Sequence, residues 1–105
     1  MNDLSIDVDL SQNPINVTVK STLDAFNKEA AESKLLNIAQ GATSNVCLDL
    51  CNVDFVDSSS VGAIVHFYKK LRCKNLELSI KGLQEQPLGL FQLLGLDKLM
   101  SCQKQ

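Results

Sequence analysis

Residues 45–55, Asn-Val-Cys-Leu-Asp-Leu-Cys-Asn-Val-Asp-Phe, constrain the fold more than any other stretch of the chain. Val46, Leu48 and Leu50 fall on one parity of an extended backbone, and Cys47 and Cys51 share the other with Asp49. Apolar residues on both parities predict a central strand covered on both faces. Shortly after it, Val61, Ile64, Val65, Tyr68 and Leu71 recur at helical spacing, with His66, Lys69 and Lys70 on the other side. Leu76, Leu78 and Ile80 then alternate again, ending at Lys81-Gly82. Strand, helix and strand in succession imply a right-handed crossover and a mainly parallel region of sheet.

The flanking segments extend this core. Leu4, Ile6, Val8 and Leu10 share one parity, as do Ile15, Val17 and Val19, and Ser11-Gln12-Asn13-Pro14 between them reads as the turn of an antiparallel hairpin. Residues 24–40 are rich in Ala, Glu, Lys and Leu, with Asp24 as N-terminal cap and Gly41 as stop. Phe26, Ala30, Ala31, Leu35 and Ile38 form the predicted buried face of this helix, and Leu36 lies outside it. Pro87 opens a last helix carrying Leu90, Phe91, Leu93 and Leu94, which Gly95 ends before a short strand over 99–102. The fold class is therefore α/β, a central mixed β-sheet with helices in the order β-β-α-β-α-β-α-β. With 105 residues, 45% of them hydrophobic, and no repeat, linker or low-complexity tract, residues 1–105 are expected to form a single domain.

The formal net charge of −2 provides no field to collect nucleic-acid phosphates. The one basic run, Lys69, Lys70, Arg72 and Lys74, falls at a predicted helix end, where cations complement the helix dipole. None of the four cysteines, Cys47, Cys51, Cys73 and Cys102, has the C-x-x-C spacing of a zinc or redox site, so free thiols are expected. Residues 1–10 carry Asp3, Asp7 and Asp9 and lack a basic region before an apolar core, and no apolar run reaches the ~20 residues of a membrane span. A cytoplasmic protein without membrane insertion is the expectation.

Between central strand and helix lies Asp57-Ser58-Ser59-Ser60. Taken alone, these are ordinary helix-capping residues. In their setting they carry a resemblance: Leu48-Asp49-Leu50, Phe55, Asp57-Ser58-Ser59 and Val61-Gly62, in ungapped register, resemble the STAS family, typified by bacterial anti-sigma factor antagonists. Leu23-Asp24, Lys81-Gly82-Leu83 and Leu94-Gly95-Leu96 look like its flanking elements, while Ser60 and Ser21 stand where the family has glycine.

The resemblance implies a STAS-like fold and a regulatory protein that binds a cognate anti-sigma kinase of the GHKL type. By it, Ser58 matches the serine that this kinase phosphorylates and a serine phosphatase restores, with ATP the kinase's cofactor and none for this chain. Ser59 and Ser60 remain alternative acceptors or caps. The expected partner surface is Asp57, Ser58, Ser59, Ser60 and Val61 in the first helical turn, with Phe67 as an outward-facing aromatic anchor. An alternative keeps the fold without phosphorylation: a STAS subunit docking on the ATPase of a lipid-transport ABC transporter.

Catalysis finds no support in the residues. His66 is the only histidine, G-x-S-x-G is absent around Ser58, and no Walker loop, dinucleotide fingerprint or metal-ligand cluster is present in the sequence. Cys51 reads as a small buried hydrophobe.

Overall fold

In a computed structural model, residues 4–105 are described. Met1, Asn2 and Asp3, part of the stretch read above for a leader, lie outside the described residues. The elements are β1 (Ile6–Asp9), β2 (Ile15–Val19), α1 (Lys28–Gly41), β3 (Val46–Asp49), α2 (Ser58–Arg72), β4 (Leu78–Leu83), α3 (Glu85–Leu93), a 3₁₀ turn (Leu96–Lys98) and β5 (Ser101–Lys104). The order matches the one predicted.

All five strands form one sheet in the sequential order β1-β2-β3-β4-β5. β1 pairs antiparallel with β2 in the expected hairpin, and every later pairing is parallel. Three successive crossovers each move one strand further in the same direction, and with the right-handed connection that parallel strands adopt, α1, α2 and α3 fall on the same side of the sheet.

The burial pattern agrees with this one-sided arrangement. Ile15, Val17 and Val19 of β2, Val46 and Leu48 of β3, and Leu78 and Ile80 of β4 are buried beneath the helices. Each such side chain contributes about 1.5–3 kcal/mol on leaving water. The opposite parity forms two polar rows in register, Asn16, Cys47 and Ser79 in one and Thr18, Asp49 and Lys81 in the other, all at least partly exposed. The central strand is thus covered on one face only. Asp49 and Lys81 would resist burial, and the sequential strand order leaves no crossover to cover them.

The helices correct further expectations. The buried residues of α2 are Ser60, Val61, Ala63, Ile64, Phe67 and Leu71, so the stripe is centred on Ile64 and Phe67, while Val65 and Tyr68 are half-buried. Phe67 is 0% exposed and packs in the core instead of facing a partner. α1 begins at Lys28, four residues after the predicted start, with Asn27 as its N-cap residue. Ala31, Leu35 and Ala39 form its buried stripe, whereas Ala30 is exposed and Phe26, ahead of the helix, is 89% exposed. β3 ends at Asp49, well short of Phe55, and β5 lies two residues later than predicted because the 3₁₀ turn takes up the chain after Gly95.

Of the basic run at the end of α2, Lys74 has a particular task. α1 has no basic residue in its own last turn, and Lys74 Nζ donates to the carbonyls of Ala39 (3.0 Å), Gln40 (3.0 Å) and Ala42 (2.7 Å), capping its C-terminal end.

The strand ends facing the α2 N-terminus are fixed by Gly82. Its φ is +74°, and a Cβ there would meet Cys51 Cβ at 2.7 Å, Asp49 Oδ1 at 2.9 Å and Cys51 N at 2.9 Å. Both the left-handed backbone and the close approach therefore require glycine. Gly82→Ala is expected to destabilise the protein by at least about 2 kcal/mol, read from the denaturant midpoint; an unchanged midpoint would show that the Asp49–Cys51 turn does not need this approach.

Candidate functional site

In a parallel sheet the carboxyl ends of the strands and the following loops are where a site can be built. Here the chain leaves β3 through a tight turn: Asp49 Oδ1 accepts from Cys51 N at 3.0 Å, and Val53 N donates to Leu50 O at 3.0 Å. The Cys51 carbonyl accepts from Gln84 Nε2 (2.9 Å) and Gln105 Nε2 (3.2 Å). Val53 and Val56, both fully buried, pin the loop to the core. Gln86 clamps Val56 from α3, accepting from its amide and donating to its carbonyl, each at 2.9 Å.

On the other side the loop is joined to the segment preceding α1. Leu23 and Val56 form a parallel bridge, with Leu23 N donating to Phe55 O at 3.1 Å and Asp57 N donating to Leu23 O at 2.9 Å. Held on both sides, the backbone delivers Asp57 to the N-cap position of α2 in an extended conformation.

There Asp57 Oδ1 accepts from the Ser60 amide at 2.9 Å and from the Ser59 hydroxyl at 2.7 Å. The Ser59 hydroxyl first of all, and the Ser60 amide with it, hold the Asp57 carboxyl below the usual carboxylate range against an upward push from partial burial.

The three serines are consequently not equivalent. Ser59 is exposed, but its hydroxyl is committed to Asp57. Ser60 points inward and is 1% exposed; its hydroxyl makes no well-aligned hydrogen bond, though it lies near enough to the Asp57 carboxylate to help stabilise the charge. Ser58 is exposed at the first position of α2, and its hydroxyl has no hydrogen-bond partner among the described residues.

Of the predicted partner surface, Asp57, Ser58 and Ser59 stand together at the surface, Asp57 partly exposed and both serines exposed. Ser60, Val61 and Phe67 are buried, so their side chains do not form part of the exposed surface of this turn. The serine that replaces the family glycine at position 60 therefore takes no space from anything approaching from outside. His66, expected on the helix surface, is exposed and lies 3.3 Å from Glu32 of α1. Cys51 is half-buried, with its thiol pushed up foremost by the neighbouring Asp49 carboxylate; burial pushes Cys102 up to about 11. Among the described residues no three His, Cys, Asp or Glu side chains are grouped to hold a metal, and no helix is long and apolar enough to cross a membrane.

The segment 21–27 was legible only in part. Asp24 does cap, but it closes a local turn instead of a helix, accepting through Oδ1 from Phe26 N (2.9 Å) and Asn27 N (3.3 Å). Asn27, almost fully buried, accepts from Asp24 N at 3.1 Å and donates to Thr22 O at 2.7 Å. This turn lifts Phe26 out of the predicted core and presents it beside the site.

The profile of the STAS domain family matches residues 5–105, and the chain belongs to that family, in its anti-sigma factor antagonist type. It is 27% identical over 99 residues to the anti-sigma-B factor antagonist of Bacillus subtilis (strain 168), covering 93% of this chain and 89% of that protein. With the protein of the same description from Staphylococcus aureus (strain NCTC 8325 / PS 47) the identity is 30% over 98 residues, 93% and 91% of the two chains. Its fold is similar to that of the anti-sigma factor antagonist SpoIIAA in its unphosphorylated form, with TM-score 0.77 at 20% identity over 93% of this chain and 87% of that one. The phosphorylated form of the Bacillus cell fate determinant SpoIIAA gives TM-score 0.71 at 19% identity over 93% and 90%.

Asp57→Ala is expected to cost about 1 kcal/mol at neutral pH, the typical worth of an N-cap side chain. Because the folded-state pKa is depressed, this contribution is complete above the unfolded carboxylate value of about 4 and is lost as the pH falls through the folded value. Denaturant titrations of both proteins from pH 7 to pH 2.5 should therefore converge at the acid end; a gap independent of pH would contradict the carboxylate's role.

Proposed function

We propose that this chain is a cytoplasmic anti-sigma factor antagonist that binds a GHKL-type anti-sigma kinase through the turn at Asp57, Ser58 and Ser59. In this reading it is switched off by phosphorylation at Ser58 and reset by a serine phosphatase. It has no catalytic activity of its own, and residues 1–105 act as one domain. The observation that carries the choice of residue is that Ser58, alone of the three serines, combines exposure with an uncommitted hydroxyl.

The physical chemistry of the turn supports the mode of switching. A phosphate on Ser58 would stand at the N-terminus of α2, where unpaired N–H groups and the positive end of the helix dipole tolerate negative charge. The fold is then not what phosphorylation disrupts. A group of charge about −1.5 to −2, strongly hydrated and set beside the Asp57 carboxylate, opposes a partner that packs against a bare hydroxyl. That a chain of the same fold has been solved in a phosphorylated form supports a switch that leaves the fold in place.

The test is phosphorylation by the purified cognate kinase with ATP, mapped by mass spectrometry. Wild type should take one phosphate on Ser58, Ser59→Ala should be modified at the same position, and Ser58→Ala should take none. Ser58→Asp should bind the kinase at least about tenfold more weakly than wild type, as expected for placing a charge in a desolvated contact. Modification persisting in Ser58→Ala would refute the assignment.

A further inference from the structure

The four phenylalanines divide sharply. Phe67 and Phe91 are fully buried, while Phe26 is 89% exposed and Phe55 44% exposed. Both exposed rings belong to the two segments joined by the Leu23–Val56 bridge, the segments that carry the switch turn. A single exposed apolar side chain is normal on a protein surface, so exposure alone proves nothing about Phe26. What distinguishes it is the way it is held. Its amide is tied to Asp24 Oδ1, and the same turn is locked by the nearly buried Asn27 through Asp24 N and Thr22 O. Two residues before Asp24, Thr22 Oγ1 donates to Asp24 Oδ2 at 3.4 Å. The backbone that presents Phe26 is therefore ordered before anything binds, and the ring has only two side-chain torsions to lose. That is the economy of a contact residue: large apolar area at a small entropic cost.

We propose that Phe26 is an aromatic anchor for the kinase, inserting into an apolar pocket while the kinase engages Ser58. The inference rests on the function proposed above and names a second point of contact for the same partner. Two features point to this occupant. The Phe26 turn is continuous with the switch turn, since Asp57 N donates to Leu23 O and Leu23 N to Phe55 O, so a body covering Ser58 meets segment 21–27 next. Across the bridge Phe55 is also 44% exposed, so the same two segments offer a second apolar side chain to a body seated on the turn. Ser58 supplies the regulated contact, and Phe26 supplies affinity that does not depend on phosphorylation chemistry.

The probe is the purified kinase, titrated by calorimetry or biolayer interferometry against wild type, Phe26→Ala, Phe26→Leu and Leu10→Ala. Leu10 is also strongly exposed but follows β1 at the opposite end of the sheet, and serves as the control. Because Phe26 is outside the core, its variants should keep the wild-type melting temperature. Phe26→Ala should bind about ten- to a hundredfold more weakly, as for a central aromatic anchor, with Phe26→Leu intermediate and Leu10→Ala unchanged. Equal binding by wild type and Phe26→Ala would overturn the anchor while leaving the function standing. Loss of a homodimer in Phe26→Ala, with kinase affinity unchanged, would overturn it in favour of a second copy of this chain. A wild-type chain that neither binds the kinase nor is phosphorylated by it would overturn the functional reading and the anchor with it.

Discussion

Asp57 Oδ1 receives the Ser60 amide at 2.9 Å and the Ser59 hydroxyl at 2.7 Å, and the Asp57 amide reaches back to Leu23 O at 2.9 Å. These bonds start α2, commit one serine, and tie this turn to the segment that carries Phe26. The carboxylate is held in its charged form by the donors around it, so at neutral pH it is both a cap and a fixed negative neighbour for Ser58. The position of Ser58 follows from this: with Ser59 engaged and Ser60 folded inward, one free hydroxyl remains at the surface of the turn.

The sheet makes that turn accessible. Sequential parallel strands with right-handed crossovers gather all three helices on one face, and the loops at the carboxyl ends of β2, β3 and β4 meet around the start of α2. Gln86 from α3 and Leu23 from the segment before α1 clasp the β3–α2 loop from both sides, while Val53 and Val56 root it in the core. The loop is thereby held at both edges and to the core beneath it. Such fixing is what the proposed switch requires: a serine presented to an enzyme and a phosphate that repels the partner without unfolding the chain.

Much of this was legible in the sequence. The order of elements, the hairpin, the parallel region and the capping role of Asp57 follow from period-two and helical patterns and from capping chemistry. The misreadings have specific causes. Periodicity places an apolar arc on α2 but does not fix its centre, so an arc through Val65 and Tyr68 that leaves out Phe67 fits the pattern as well as the true one centred on Ile64 and Phe67. Asp24 uses the same side-chain-to-backbone bond whether it caps a helix or closes a turn, and the sequence does not separate the two, which is why helical spacing places Phe26 in the core. Counting Cys47 and Cys51 as apolar suggested cover on both faces of β3, whereas the strand order decides that only one face is covered. The aromatic side chain that stands exposed beside the Asp57 turn is thus Phe26, across the Leu23–Val56 bridge, and not Phe67 of α2.

The central claim is that the switch acts at the surface of an unchanged fold, through the charge set beside Asp57. It is tested most directly by comparing backbone amide spectra of the isotopically labelled chain before and after stoichiometric phosphorylation by the kinase. The account predicts shifts confined to residues 56–61 and to the facing segment 22–27, with the amides of Val17, Leu48 and Ile80 in the core of the sheet unmoved. Shifts spread through the sheet, or a collapse of spectral dispersion, would contradict it.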